Sequence, residues 1–584
     1  MGLIGNCAYM SYIDKSGEVS WQCWPNFDSS FVFGSMIAGD KGGEFSIRPE
    51  RAYTSHQSYL TNTNILVTHF KAEDGEFRVV DFAPRFGLFE RYHKPLMLFR
   101  KIEMVKGTPL VKVICEPAGE YGHANVKPVV GSNSINFTGL PSKLRLTTNI
   151  AKSKILEKKP FVLSKDYHLV LSWGSPLEAP LERTFEEFLG RTREYWQEWV
   201  KRCSIPSVYQ EEVIRSALVL KLHQFEDTGA FIASGTTSLP EHPGSGRNWD
   251  YRYCWIRDSY FTLNALHSLG HFSEVEDYSH WIQNIVQERP GVFQPVYRID
   301  GSADITESIV DLPGYKGNQP VRIGNAAYTQ IQHDVYGQML LSMLPLYVDK
   351  RMASRKAVPS LELLHTILDK IKTVMDEPDA GIWEYREKMQ RHAESYLFHW
   401  SGAHGAIKIA EQFGDAELLN KAKAIVKEAS KNLEACYDKK LKAYGMAIEN
   451  HDLNAAEFLL VTMGYIQDPL RAKEHVLALE KRLKTDDHLI YRYRDKDDFG
   501  ETHSTFLICA FWYAEALAKV GRVEESQRVF ESLLTRSNPL GLYSEDICPQ
   551  DGSQWGNFVQ TYSHVGLINT AFQIEASKNQ PSFL

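Results

Sequence analysis

The sequence predicts a molecule of two unlike parts. An N-terminal antiparallel β-sandwich is expected over residues 1–180, a linker helix over 181–206 and a C-terminal (α/α)6 barrel over 207–584. Three observations carry that expectation. The first part breaks into short alternating apolar runs separated by turn residues, with almost no helical periodicity. From residue 207 the apolar spacing changes to the 3.6-residue period of helices. The longest connections between those helices follow alternate helices, as consecutive hairpins packed into a ring would require.

In the first part, Phe77-Arg78-Val79-Val80-Asp81-Phe82, Leu110 to Cys115 and His168 to Trp173 read as strands. Asp14-Lys15-Ser16-Gly17, Asp74-Gly75 and Gly131-Ser132-Asn133 punctuate them as turns. Phe185, Phe188, Leu189, Tyr195, Trp196, Trp199 and Val200 then recur at helical spacing, and Ser204-Ile205-Pro206 ends the run. About twelve helical stretches follow, near 207–226, 257–270, 272–288, 325–348, 358–376, 392–412, 415–434, 452–465, 469–484, 503–519, 522–535 and 557–576. Long connections at 229–256, 289–324, 377–391, 485–502 and 536–556 would converge on one mouth, where a site is built.

Composition narrows the ligand. A net charge of −8 with both signs interspersed leaves no basic stripe for nucleic acid or an acidic membrane. No run approaches eighteen apolar residues, so no membrane span is expected. The N-terminus lacks a basic n-region with an apolar run, and cytoplasmic residence is the expectation. Eight scattered cysteines without a CxxC pair read as reduced thiols. The histidines show no metal-ligand spacing, so neither metal nor cofactor is expected. Homo-oligomerisation stays open.

The richest chemistry lies in Arg247-Asn248-Trp249-Asp250-Tyr251-Arg252-Tyr253-Cys254-Trp255-Ile256-Arg257-Asp258. A sugar site uses that mixture: aromatic faces cover pyranose C–H groups, while Arg and Asp hold hydroxyls. A plainer reading makes Asp258 a helix N-cap. Metal-free glycosidic cleavage needs two carboxyl groups, and two long loops supply candidates. Glu384 lies between Trp383 and Tyr385, whose apolar character would raise its pKa as a general acid requires. Glu545, in Gly541-Leu542-Tyr543-Ser544-Glu545-Asp546, stands among polar groups where it would stay ionised as a base. Arg322 and Asn325 are further hydroxyl-binding candidates, although Asn325 serves equally as a cap. His564 reads as a core histidine.

Several ordered segments resemble glycoside hydrolase family 15, the glucoamylase-like enzymes. They are Gly17 to Trp21 with Pro25 to Ser29, Trp255 to Ser259, Pro320 to Ala326, Gly381 to Glu384, Leu542 to Asp546, Trp555 to Phe558 and Tyr562 to Ile568. The resemblance covers nearly the whole chain. It implies a β-sandwich followed by an (α/α)6 barrel, and an inverting exo-acting hydrolase that releases β-D-glucose from non-reducing ends of α-glucosides or short α-glucans. By that likeness Glu384 is the general acid and Glu545 the general base. Arg257 and Asp258 would hold the terminal glucose, Trp255 and Trp383 would wall the pocket, and Tyr251 would lie near the water. Arg492 is carried over as a sugar-binding arginine, with Arg494 fitting almost as well. Inversion requires the carboxyls roughly 6.5–9.5 Å apart, leaving room for water.

The chain departs from many relatives at Val559, where they have Pro, and at Thr502-His503-Ser504-Thr505, where they are acidic. The second departure bears on linkage rather than reaction class. The alternatives within the family are a trehalase and an α-1,6-glucosidase acting on isomaltose or dextran. Outside that class stand a disaccharide phosphorylase and a non-catalytic glucan sensor.

Overall fold

A computed structural model describes residues 1–177, 179–288, 293–352 and 358–578. Residues 289–292 of the expected 289–324 loop lie outside the described residues. The chain divides into two units. The first comprises Met1–Cys203 with Ile309–Val321 and Asn538–Leu542; the second comprises Ser204–Ser308, Arg322–Ser537 and Tyr543–Leu584.

The first unit is antiparallel β structure, as its alternating runs predict. Its largest sheet has eight strands in the order Lys127–Val130, Ser134–Thr138, Leu144–Thr148, Tyr167–Trp173, Met97–Gly107, Gly75–Phe82, Leu66–Ala72 and Tyr53–Tyr59. A four-stranded meander runs from Gly2–Gly5 to Phe31–Phe33, and a three-stranded sheet pairs Phe161–Val162, Leu110–Glu116 and Glu44–Pro49. Fully buried Arg100 ties the layers together. It pairs with Asp81 at 2.7 Å across adjacent strands and donates to the carbonyls of Phe45 (2.9 Å) and Gly17 (2.8 Å). Removing one partner from such a buried pair costs about 3–5 kcal/mol, because the other charge is stranded. The helix Leu181–Lys201 lays Phe185, Phe188 and Leu189 against Phe82 and Phe99 of the large sheet, so it belongs to this unit.

Among the described residues, the second unit contains the twelve helices that the periodicity predicts. They are α1 (Gln210–Leu222), α2 (Ile256–Ser268), α3 (Phe272–Glu288), α4 (Asp334–Val348), α5 (Leu361–Val374), α6 (Ala393–Phe413), α7 (Ala416–Ala435), α8 (a 3-10 turn Ala455–Phe458 running into Leu459–Thr462), α9 (Pro469–Leu483), α10 (Leu507–Lys519), α11 (Val523–Leu534) and α12 (Thr561–Ser577). Even-numbered helices pack each on the next, and α12 returns to α2, closing an inner ring. Odd-numbered helices lie outside; α5 buries one stripe through Leu364, Ile367, Leu368 and Ile371, whereas α1 is buried all round from Ser216 to Leu222. The inner helices are apolar nearly all round, because both of their faces are covered. Between α4 and α6 the approach is backbone to backbone. A Cβ on Gly337 would lie 1.9 Å from the Phe398 carbonyl, and one on Gly402 would lie 2.7 Å from Gly337 Cα. This architecture is the (α/α)6 barrel.

Helix starts are where expectation and structure part. The stretch expected from 325 begins as a 3-10 turn capped by Asn325, and α4 starts at Asp334. Those expected from 503 and 557 begin as strands, Thr505–Phe506 and Gln554–Phe558, before α10 and α12. Ahead of α10 and α12 the residues are extended, and ahead of α4 they form the 3-10 turn.

Candidate active site

The aromatic stretch owes its arrangement to strand-like alternation. Asn248, Asp250 and Arg252 turn inward and are fully buried. Arg252 grips Asp250 through Nε (2.9 Å) and Nη2 (2.7 Å), and the Gly324 N–H donates to the same carboxylate (3.2 Å). Those two charges are therefore structural. The alternate residues Arg247, Trp249 and Tyr251 line a pocket together with Trp255, Arg257 and Asp258. Asp258 is not the N-cap; Trp255 occupies that position and Asp258 sits in the first turn of α2.

Glu384 projects from a tight turn. Its N–H donates to the Gly381 carbonyl (3.1 Å), and its own φ is +61°, a strained value for a residue with a Cβ. Gln330 Nε2 donates to its backbone carbonyl at 3.0 Å. The carboxyl Oε1 accepts from Trp255 Nε1 (2.7 Å) and Arg257 Nη2 (3.1 Å). The flanking Trp383 and Tyr385 line the same pocket as Glu384. Trp383 turns its N–H to Asn454 Oδ1 (2.9 Å), and Tyr385 stacks on His392.

Glu545 lies on Ser544–Ile547, the central strand of a ribbon with Thr505–Phe506 and Gln554–Phe558. The register slips between Ser544 and Asp546, so Glu545 sits at a bulge that re-aims its side chain. Oε1 accepts from the Tyr251 hydroxyl (2.7 Å) and Oε2 from the Asn557 N–H (3.3 Å). Only glycine fits opposite: a Cβ on Gly556, at φ +75°, would meet Glu545 Cβ at 2.6 Å. The polar setting expected for Glu545 is present, and it is a buried one, with 1% of the residue exposed. Burial raises its proton affinity and Glu241 adds to this, while Arg492 and the Tyr251 hydrogen bond oppose it. The adjoining Asp546 is raised as well, by burial and then by Glu545.

All eight residues singled out from the sequence line this one pocket: Tyr251, Trp255, Arg257, Asp258, Trp383, Glu384, Arg492 and Glu545. The rings of Trp255 and Tyr251 meet edge to face at 5.5 Å between centroids. Each holds a different carboxyl, so Glu384 and Glu545 are linked through this ring pair. Asp258 is 5% exposed and its Oδ2 accepts no hydrogen bond, although Arg257 Nε lies 3.6 Å away. Burial pushes its pKa up to about 7 against the pull of Arg257. A hydroxyl donor would satisfy that oxygen.

The chain matches the family model described as glycosyl hydrolases family 15 over residues 207–572. It belongs to that family. Residues 1–159 match a trehalase-like N-terminal model. Among curated relatives, a trehalase of Thermoplasma volcanium is 31% identical, covering 98% of this chain and 93% of that protein. A trehalase of Mycobacterium tuberculosis is 32% identical, covering 96% of this chain and 87% of its own length. A bacterial glucoamylase solved in complex with acarbose superposes with a TM-score of 0.72 at 14% identity, covering 98% of this chain and 94% of the other. That likeness is one of fold. The protein is a glycoside hydrolase.

Within the family 15 pocket the structure separates two arginines that the sequence left nearly equivalent. Arg492 is buried and lines the pocket; Arg494 is exposed and stacks on Tyr491 at 4.1 Å. Arg492 is held by Glu241, 2.5 Å from its Nη2. Glu241 was not singled out, because Leu239-Pro240-Glu241-His242-Pro243 reads as an ordinary surface turn; it is 1% exposed. Arg386, Asp497, Asp498 and Phe499 also line the pocket without a signal strong enough to select them. Asn325 lines it too, but its carbonyl oxygen caps the following turn. Arg322 packs on Trp249 and donates to the carbonyls of Gly246 and Asn248. His564 is a core histidine, bonded to Ser216 Oγ at 3.0 Å.

Four of the five long loops line the pocket directly. The described residues of the 289–324 loop do not; the residues just after it, Asn325, Ala327 and Gln330, take its place. A sixth connection, 436–454, lies behind the site, where Met446, Ala447 and Asn454 support Trp383 and Tyr385.

Proposed function

We propose that this glycosidase hydrolyses α,α-trehalose with inversion at the attacked anomeric carbon. Glu384 protonates the glycosidic oxygen as the C1–O bond breaks. Glu545 takes a proton from the water that forms the new C1–O bond on the opposite face. The enzyme then holds its proton on Glu545 and lacks one on Glu384, and exchange with solvent restores it. Arg257, Asp258 and Arg492 hold the hydroxyls of the attacked glucose, and Trp255 and Trp383 cover its C–H faces.

The observation that carries this reading is the pair of tethered carboxyls in one pocket, Glu384 on Trp255 and Arg257 and Glu545 on Tyr251. Burial raises the Glu545 pKa to about 8, and Arg492 and the Tyr251 hydrogen bond oppose that rise, favouring the carboxylate form that acts as base. Trehalose is preferred over starch chains because the relatives named trehalase align along nearly the whole chain, both units included. A phosphorylase would need an anion pocket where this site holds two buried carboxylates, Glu545 and Glu241.

The test is glucose release from trehalose, maltose, isomaltose and maltoheptaose, each with and without phosphate. Trehalose should be cleaved fastest and phosphate should not matter. Faster cleavage of another linkage would replace the substrate, and strict phosphate dependence would replace the reaction class.

A further inference from the structure

Against the turn that carries Glu384 packs a buried polar layer to which the hydrolytic step gives no role. Asp379, His392 and Glu394 are each no more than 2% exposed, and none of them lines the pocket. Asp379 opens the turn and pairs with Gln390 through backbone hydrogen bonds of 2.8 and 3.0 Å. Its Oδ2 accepts from the His333 N–H (2.6 Å) and the Ser395 hydroxyl (2.8 Å). The Ala393 N–H donates to the Met446 carbonyl (2.9 Å), so the start of α6 is fixed from another side as well. The turn is seated on that fixed start. Glu394, in the first turn of α6, accepts the Ile382 N–H at 3.3 Å. The His392 ring stacks on Tyr385 with 13° between the planes. Gly381, at φ +66°, lies over both residues: a Cβ there would stand 2.8 Å from His392 Nε2 and 3.0 Å from Glu394 Oε1.

We infer that His392 and Glu394 are positioning residues that fix the backbone of the 379–385 turn and so aim the Glu384 carboxyl at the glycosidic oxygen. This rests on the reading of Glu384 as the acid. A residue with a Cβ stays at φ +61° only when its surroundings over-determine it. Trp255 and Arg257 hold the carboxyl of Glu384, and Gln330 holds its carbonyl. The seat on α6 holds the chain on the other side, where it enters the turn, and an aimed proton donor needs both ends fixed. Burial pushes the Glu394 pKa up to about 8, so at neutral pH the group is mostly the uncharged acid. Glu394 therefore serves Ile382 as an acceptor rather than as a charge, and a glutamine can stand in for it.

The experiment measures kcat and KM for trehalose and for α-glucosyl fluoride in Glu394→Met, Gly381→Ala and Glu394→Gln. Fluoride departs without a proton, so its cleavage needs no aimed acid. Glu394→Met removes the acceptor, and Gly381→Ala lifts the turn off its seat. Each should lower kcat on trehalose about thirtyfold, with KM within about twofold. On α-glucosyl fluoride both should stay within about threefold of wild type, and Glu394→Gln should do so on both substrates. Equal losses on the two substrates would make the layer a packing element only and overturn the inference. An unchanged kcat on trehalose in Glu394→Met would overturn it too. Gly381→Ala leaves the buried side chains in place and decides the question if Glu394→Met does not fold. Glu384→Gln is measured alongside. If it stays inactive on the fluoride, the acid assignment fails and the inference with it; if it recovers there and the other variants do not, the seat alone is refuted. Should another disaccharide be cleaved faster than trehalose, it takes the place of trehalose in the comparison.

Discussion

Glu384 and Glu545 face one pocket from opposite kinds of structure. Glu384 stands on a strained turn with 23% of its side chain exposed and takes its hydrogen bonds from an indole and a guanidinium. Glu545 stands on a bulged ribbon, buried among other carboxylates, and takes its own from a phenol and a backbone N–H. Their partners lie far off in the chain: Trp255 is 129 residues from Glu384 and Tyr251 is 294 from Glu545. The contrast teaches that residues flanking a carboxyl in sequence locate it but do not supply its hydrogen bonds. The fold delivers those from elsewhere.

The largest effects should come from removing each carboxyl in turn. Glu384→Gln and Glu545→Gln should each lower kcat on trehalose by about a thousandfold, without a change in melting temperature. α-Glucosyl fluoride separates them, because fluoride leaves without a proton. On it Glu384→Gln should recover to within about tenfold of wild type while Glu545→Gln stays inactive. Recovery of both would remove Glu545 from the chemistry.

The arginines come next. Arg492→Ala should lower kcat/KM by about a hundredfold or more, as expected when a buried charge-assisted contact to the sugar is lost and Glu241 is left unpaired. Arg494→Ala should change it less than about twofold, as for an exposed side chain stacked on its neighbour. Equal losses would put the sugar contact outside the pocket described.

The subtlest effect is electrostatic. Glu545 must be ionised to act, and Glu241 raises its proton affinity. In Glu241→Gln that contribution disappears and Arg492 is left to favour the carboxylate. The acid limb of the kcat/KM profile should therefore move to lower pH by about half a unit to one unit. An unmoved limb, or one moved upward, would show that Glu241 does not act on Glu545.

Much of this fold was legible because its helices announce themselves. Outer helices such as α5 and α11 bury one stripe, and the apolar spacing follows directly. Inner helices were legible from their apolar content and from the long loops beside them. What the spacing could not show was that Thr505–Phe506, Ser544–Ile547 and Gln554–Phe558 pair into the ribbon under Glu545, because strands of two to five residues in long loops have too few positions for a period to emerge. The eight site residues were legible as sequence chemistry and as family motifs, and all of them meet in one pocket. Glu241 and the Asp497–Gly500 turn were not, since a glutamate between prolines and an acidic turn look like ordinary surface until the fold buries one and sets the other against the pocket.

The account turns on inversion between the two carboxyls, and proton NMR of trehalose hydrolysis followed before mutarotation tests it most directly. The departing glucose keeps its α configuration whatever the mechanism, so the attacked glucose decides the result. Inversion predicts α- and β-glucose in equal amounts at the earliest times. Initial formation of α-glucose alone would contradict the assignment of Glu384 as acid and Glu545 as base to water.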